Sequence, residues 1–178
     1  MASDEVGERG EPELVRVRVR LPGRIGFLYM IRQFNALVDP DRFPGAEPLL
    51  SRGGRILAAP GPRRLIELNE CEHMLDGALR SKTLVVDVRR AARAVQRPAH
   101  RWSAHTRGSL IEFDDICWDA AATLGDEAWA ASVRDPAGTH ALYAFVWQET
   151  STLPGPAERS QLLADLTAAL LARMEIIE

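Results

Sequence analysis

The residues most suited to chemistry lie in one basic stretch near the middle of the chain. Positions 89–111 contain six arginines and two histidines but no aspartate or glutamate. Guanidinium groups form charge-assisted, often bidentate hydrogen bonds with phosphates and carboxylates, and Trp102 offers a ring for stacking. This composition predicts either a site for a small anion or the solvated face of a linker helix. The candidate binding residues are Arg97, His100, Arg101, His105 and Arg107.

A second candidate site is the turn that contains Gly23 and Gly26. We expect this turn to lead from a strand into a helix, where free backbone amides at the helix N-terminus suit a phosphate or a carboxylate. The alternative is that the two glycines only shape the turn. Residues 17–28 resemble the first strand and turn of ACT domains. That resemblance implies that a small effector approaches the backbone at this turn.

Other reactive side chains do not form a recognisable catalytic or metal-binding pattern. On a helix, Cys71 and His73 point about 200° apart and cannot share a metal ion. Cys71 and Cys117 are expected to be small buried hydrophobes, and the neighbouring Asp114 and Asp115 do not make an acid/base pair. We therefore predict no metal and no cofactor, and the catalytic residues, if any, remain unknown.

The stretch from Thr106 onward resembles the small C-terminal subdomain of adenylate-forming ligases, which activate acyl groups with ATP. The likeness extends over residues 106–178, but only Arg107-Gly108 and Glu112 match the motif. Lys82 is the single lysine and lies in the other half of the chain, away from the position of the ligases' catalytic lysine. The resemblance thus implies an accessory or degenerate part of such an enzyme, and convergence on a similar element order is the alternative.

Composition limits the class of protein. The chain has 178 residues, 46% of them hydrophobic, and a formal net charge of -3. These values are typical of a folded globular protein, and the weak negative charge makes nucleic acid an unexpected partner. Only two cysteines and no apolar run of about 20 residues indicate a cytoplasmic protein that does not enter a membrane. The strong preference for arginine over lysine suggests a bacterial source with a GC-rich genome.

The pattern of apolar residues predicts an α+β fold with two ferredoxin-like βαββα(β) units packed together. In the first unit, the expected elements are a strand at 14–21, a helix at 27–38, strands at 55–59 and 64–68, a helix capped by Asn69, and a strand at 83–88. In the second, they are a strand at 109–113, a helix at 114–124 between Asp114 and Gly125, strands at 128–134 and 140–148, a helix at 158–174, and a strand at 175–178. The domain boundaries are a disordered acidic tail at 1–13, units at 14–88 and 109–178, and a basic linker at 89–108.

These features favour a non-catalytic module that binds a small anionic ligand or a partner protein in bacterial amino-acid or acyl metabolism. Because small open sheets must cover their apolar faces, either packing of the two units within the chain or a homodimer is expected. A ligase accessory is one alternative. Another is an enzyme that acts on a carboxylate or carbonyl substrate in a cleft between the units. The residues expected to line that cleft are Arg63, Arg64, His100, Arg101, His105 and Glu112.

Overall fold

Two three-stranded sheets form the β part of the computed structural model, which describes residues 10–134, 142, 146 and 155–178. The strands are β1 (Glu13–Arg20), β2 (Leu28–Phe34), β3 (Ser51–Arg52), β4 (Arg55–Ala58), β5 (Ala78–Asp87) and β6 (Met174–Ile176). In the first sheet, β1 lies between antiparallel β2 and parallel β5. In the second, β4 lies between antiparallel β3 and parallel β6. An isolated bridge between Tyr29 and Ala59 links β2 to the chain after β4.

The helices complete an α+β fold, as the sequence predicted. They are α1 (Pro62–Glu72), α2 (Val88–Ala94), α3 (Ala104–Leu124), α4 (Glu127–Val133) and α5 (Pro156–Ala172), with a short 3-10 turn at Ala99–Arg101. No helix in the described part of the chain is long and apolar enough to cross a membrane.

The predicted helix at 27–38 is wrong, because most of this segment is β2. Its residues are buried on both faces of the sheet, so the apolar positions lose the period of two that marks a half-buried strand. The turn at Gly23 and Gly26 consequently joins two antiparallel strands. The described segment after Gly26 therefore offers no helix N-terminus to bind an anion.

The predicted strand at 64–68 and the predicted cap at Asn69 are also wrong. Both positions lie in α1, which begins at Pro62, a residue favoured in the first turn of a helix. Within α1, Arg63 Nε donates to Glu67 Oε1 at 2.7 Å across one helical turn. The buried Asn69 side chain instead accepts from Leu75 N at 2.9 Å and so holds the loop after the helix.

The two cysteines differ in burial. Cys117 is fully buried in α3, as predicted. The predicted burial of Cys71 is wrong, because α1 buries only the side that carries Leu65 and Asn69. Cys71 lies two residues after Asn69, about 200° around the helix, and is exposed.

The long helix α3 replaces the predicted strand at 109–113. It begins earlier than expected because Ser103 Oγ accepts from Thr106 N at 3.2 Å and caps the helix. Asp114 is therefore not a cap but a fully buried residue in the helix interior. Gly125 ends the helix with a φ of 64°, as predicted.

The remaining predictions for the second half have mixed outcomes. The segment expected to be a strand at 128–134 is mostly α4, because Asp126 Oδ1 accepts from Trp129 N at 2.9 Å and starts a helix. The helix predicted at 158–174 is confirmed as α5, and β6 confirms a short final strand. The strand predicted at 140–148, apart from two isolated residues, and residues 1–9 of the predicted tail lie outside the described residues.

The first sheet buries its two faces to different degrees. Val17 and Val19 face the larger core cluster, which includes α3 residues such as Phe113. On the opposite face, α1 covers the end near Leu14 and Ile31. The rest of that face carries the outward arginines of β1, which are only partly exposed: Arg16, Arg18 and Arg20.

Candidate functional site

Five arginines line one pocket of about 500 Å³ where the first sheet meets α2 and the start of α3. We call it the arginine pocket. The arginines are Arg20, Arg90, Arg93, Arg97 and Arg101. Asp87, Ser103 and Thr106 also line it.

Local structure explains how residues so far apart in sequence meet. Arg20 is the last residue of β1, and parallel pairing places it beside Asp87 at the end of β5. Asp87 then caps α2, since its Oδ1 accepts from Arg90 N at 2.8 Å. Residues 88, 91 and 95 are buried in the core, so the arginines at 90, 93 and 97 lie on the opposite, exposed side of this segment.

The pocket carries a strong local excess of positive charge. Among the described residues that line it, Asp87 is the one acid, and its Oδ2 lies 4.0 Å from Arg20 Nη1. Within the described part of the chain, the other four arginines of the pocket have no ion pair with an acid. All four side chains are exposed, so solvent and salt screen their mutual repulsion. A bound anion would replace that screening with direct contacts.

The N-terminus of α3 adds to this potential. Ser103 and Thr106 bring hydroxyl groups to the pocket, and their oxygens lie 3.0 Å apart. Ser103 Oγ already caps the Thr106 amide, and the positive end of the dipole of this 21-residue helix favours negative charge. The arginines and the helix end therefore favour the same kind of ligand.

The structure brings together only part of the basic site predicted from the sequence. Arg97 and Arg101 line the arginine pocket. Arg107 lies elsewhere, because its Nη1 donates to the backbone oxygen of Val146 at 2.7 Å. His100 and His105 are exposed and are not part of the pocket lining.

The two glycines of the predicted turn have a conformational role. Gly23 and Gly26 have φ angles of +74° and +81°, which residues with a Cβ rarely adopt. A Cβ at either position would meet nothing within 4 Å. Gly23 lines a neighbouring pocket of about 380 Å³ that shares Arg93 with the arginine pocket. Gly26 lines neither of these pockets.

Sequence reasoning did not single out Arg20, Arg90 and Arg93. Arg90 and Arg93 belong to the basic stretch and recur with Arg97 at helical spacing, which is a usable signal. Arg20 looked like one more polar position in an alternating strand. Only the parallel pairing of β1 with β5 reveals its position beside α2.

A buried ionic cluster centred on Arg32 is the second concentration of titratable groups. The guanidinium nitrogens of Arg32 lie 2.7 Å from a carboxylate oxygen of Asp119, 3.0 Å from one of Glu47 and 3.8 Å from one of Glu112. Burial raises the pKa of Asp119 to about 7 and also raises the pKa values of Glu47 and Glu112. Asp119 Oδ1 accepts from Glu47 N at 2.8 Å, which attaches the loop after β2 to α3. The cluster is a structural junction between the loop after β2 and α3.

The residues expected in an enzymatic cleft have separate partners. Arg63 and Arg64 contact Glu67 on the exposed surface of α1. Glu112 contacts Arg32, whereas Arg101 lines the arginine pocket.

Comparisons with known proteins bear on the fold. No family model matches the chain, and no curated protein matches it. A solved structure described as the SatS C-terminal domain in complex with bromine is similar, with a TM-score of 0.56 and 15% sequence identity. The match covers 92% of this chain and 94% of the SatS chain. At that identity the likeness supports a shared fold, and neither the ACT-domain nor the ligase resemblance gains support.

Proposed function

We propose that the protein is a non-catalytic module that binds a phosphate-bearing anion in the arginine pocket. The observation that carries this proposal is that one pocket is lined by four arginines that have no ion pair within the described residues: Arg90, Arg93, Arg97 and Arg101. A role in bacterial amino-acid or acyl metabolism, and a homodimeric state, stay predictions from the sequence.

Phosphate fits the pocket better than a single carboxylate does. A carboxylate carries one negative charge and is neutralised by one guanidinium. Phosphate and pyrophosphate carry more charge and more acceptor oxygens, so several arginines can bind them at once. Ser103 and Thr106 supply hydroxyl groups beside the N-terminus of α3, an arrangement that also suits phosphate.

The lining favours binding over catalysis. Its one titratable acid among the described residues, Asp87, already accepts from Arg90 N and lies beside Arg20. The described lining contains no histidine and no cysteine. The hydroxyl groups of Ser103 and Thr106 bond to each other, and no described hydrogen bond joins either of them to a general base that would activate a nucleophile.

Thermal unfolding with inorganic pyrophosphate tests the proposal. A ligand at 100 times its dissociation constant stabilises the folded protein by about 2.7 kcal/mol. The wild type should show this gain, and Arg97→Gln should lose most of it. Arg64→Gln, the same charge change on the exposed surface of α1, is the matched control and should respond as the wild type does. An equal response from Arg97→Gln and the wild type would contradict the proposal.

A further inference from the structure

The outward face of the first sheet carries a row of arginines that leads to the arginine pocket. Arg16, Arg18 and Arg20 alternate along β1, so their Cα atoms are about 7 Å apart. Within the described residues, Arg18 has no ion pair. Val85 lies beside Arg18 on the same face and is 44% exposed. This part of the face is therefore open to a partner.

Aromatic rings connect the row to the pocket. The Arg18 guanidinium carbon lies 3.7 Å from the centre of the Phe27 ring and 5.9 Å from that of Tyr29. The Arg20 guanidinium carbon lies 5.4 Å from the centre of the same Phe27 ring, and Arg20 also lines the arginine pocket. Planar guanidinium and aromatic groups thus alternate from the middle of the sheet to the pocket rim.

We propose that this face and the arginine pocket form one continuous track for single-stranded nucleic acid. The track consists of Arg18, Arg20, Phe27 and Tyr29 together with the arginine pocket, whereas Arg16 Nη2 already donates to the backbone oxygens of Arg80 and Ser81. The inference rests on the proposed function and deepens it, because the phosphates in the pocket are then backbone phosphates. The planar groups on the sheet stack with the neighbouring bases.

An acidic peptide fits the same charge but not the same surface. Its carboxylates pair with arginines, yet an acidic segment offers no planar groups to stack on Phe27, Tyr29 and the Arg18 guanidinium. Bases have such planes, and stacking on aromatic side chains is a general means of binding single strands without sequence preference. The track combines stacking groups with phosphate-binding groups, which favours nucleic acid.

The negative net charge of the whole protein had argued against this partner. Affinity for nucleic acid depends on the local potential at the contact surface, and a chain of net charge -3 can still concentrate arginines on one side. Along the chain, the arginines of β1 are far from those of residues 89–101. The pairing of β1 with β5 brings the two groups together.

The test measures fluorescence anisotropy with labelled oligo(dT) of 3, 6 and 12 nucleotides. The wild type should bind the 12-mer at least 10-fold more tightly than the 3-mer, because the longer strand can contact the pocket and the whole sheet face at once. Arg18→Gln should weaken the 12-mer at least 5-fold and change the 3-mer less than 2-fold. Because Arg18 stacks on bases, Arg18→Gln should keep the wild-type slope in a plot of log affinity against log salt, whereas Arg97→Gln should make that slope shallower by about 0.7, the value for one lost phosphate contact. Arg64→Gln is the matched control and should match the wild type.

The outcomes separate this inference from the proposed function. If pyrophosphate stabilises the wild type but not Arg97→Gln, while oligo(dT) affinity does not depend on length or on Arg18, the track is refuted and the anion pocket stands. Displacement of the 12-mer by poly-glutamate at equal charge concentration would also refute it, in favour of an acidic peptide. If Arg97→Gln leaves the pyrophosphate response unchanged, both proposals fail.

Discussion

Replacing Asp119 by asparagine is expected to change how the stability of the protein depends on pH. Asp119, Glu47 and Glu112 all lie within 4 Å of the single guanidinium of Arg32. One positive charge cannot neutralise three carboxylates, and Asp119 is almost completely buried. A proton on Asp119 relieves both the burial of charge and the repulsion from Asp115 and Glu47. Asparagine imitates that protonated state at every pH.

The sign and size of the effect follow from the pKa of Asp119, which burial raises from 3.8 to about 7. Between these values the folded protein keeps the proton that the unfolded chain has lost, so the stability of the wild type falls as pH rises. One pKa unit corresponds to about 1.4 kcal/mol, and the loss from Asp119 between pH 5 and pH 8 is about 2 to 3 kcal/mol.

Urea unfolding of the wild type and Asp119→Asn at pH 5 and pH 8 measures the effect. The quantity to compare is the difference in unfolding free energy between the two proteins. We expect it to shift in favour of Asp119→Asn by at least about 1 kcal/mol on going from pH 5 to pH 8. A difference that stays constant, or that shifts toward the wild type, would show that Arg32 keeps Asp119 ionised and that the reasoning about burial is wrong.

Three further predictions follow from other parts of the structure. A thiol reagent should label Cys71, which is exposed, in the native protein and Cys117 only after unfolding, because Cys117 is buried and its pKa is raised; rapid native labelling of Cys117 would contradict this. Gly26→Ala should lower the unfolding free energy in urea by about 1 kcal/mol because of its positive φ, without altering pyrophosphate binding. Arg107→Gln should leave pyrophosphate affinity within 2-fold of the wild type, since Arg107 bonds to Val146 outside the pocket lining; a 10-fold loss would place Arg107 in the site.

Several elements could be predicted from the sequence because one local signal determined them. The alternation of valine and arginine correctly predicted β1. Gly125 correctly marked the end of α3, because glycine readily adopts the left-handed conformation that ends many helices. The helix α5 was predictable because Leu163, Leu166 and Leu170 recur at helical spacing, and all three are buried.

Elements set by tertiary contacts were not predictable in the same way. β2 is buried on both faces, which removes the alternation that would have identified it, and the apolar spacing that remained favoured a helix. The stretch at 109–113 is too short for its period to be read reliably, and the cap that decides its structure lies upstream at Ser103. In both cases the deciding information is outside the segment.

The residues of the candidate site, like the elements of the fold, could be predicted only where the local sequence was sufficient. The basic composition of residues 89–101 drew attention to Arg97 and Arg101, which line the arginine pocket, and their role in binding stays a prediction. The contribution of Arg20 depends on the pairing of β1 with β5, and the position of Arg107 depends on a backbone oxygen 39 residues away. Neither can be inferred from charge along the chain.

The most direct test of the arginine pocket is an NMR titration that follows the side-chain Nε–Hε signals of individual arginines as pyrophosphate is added. The signals of Arg90, Arg93, Arg97 and Arg101 should shift and saturate together with one dissociation constant, while the signal of Arg64 on α1 should stay in place. Small, unsaturated shifts spread over all exposed arginines, Arg64 included, would contradict the account and reduce the pocket to a solvated basic surface.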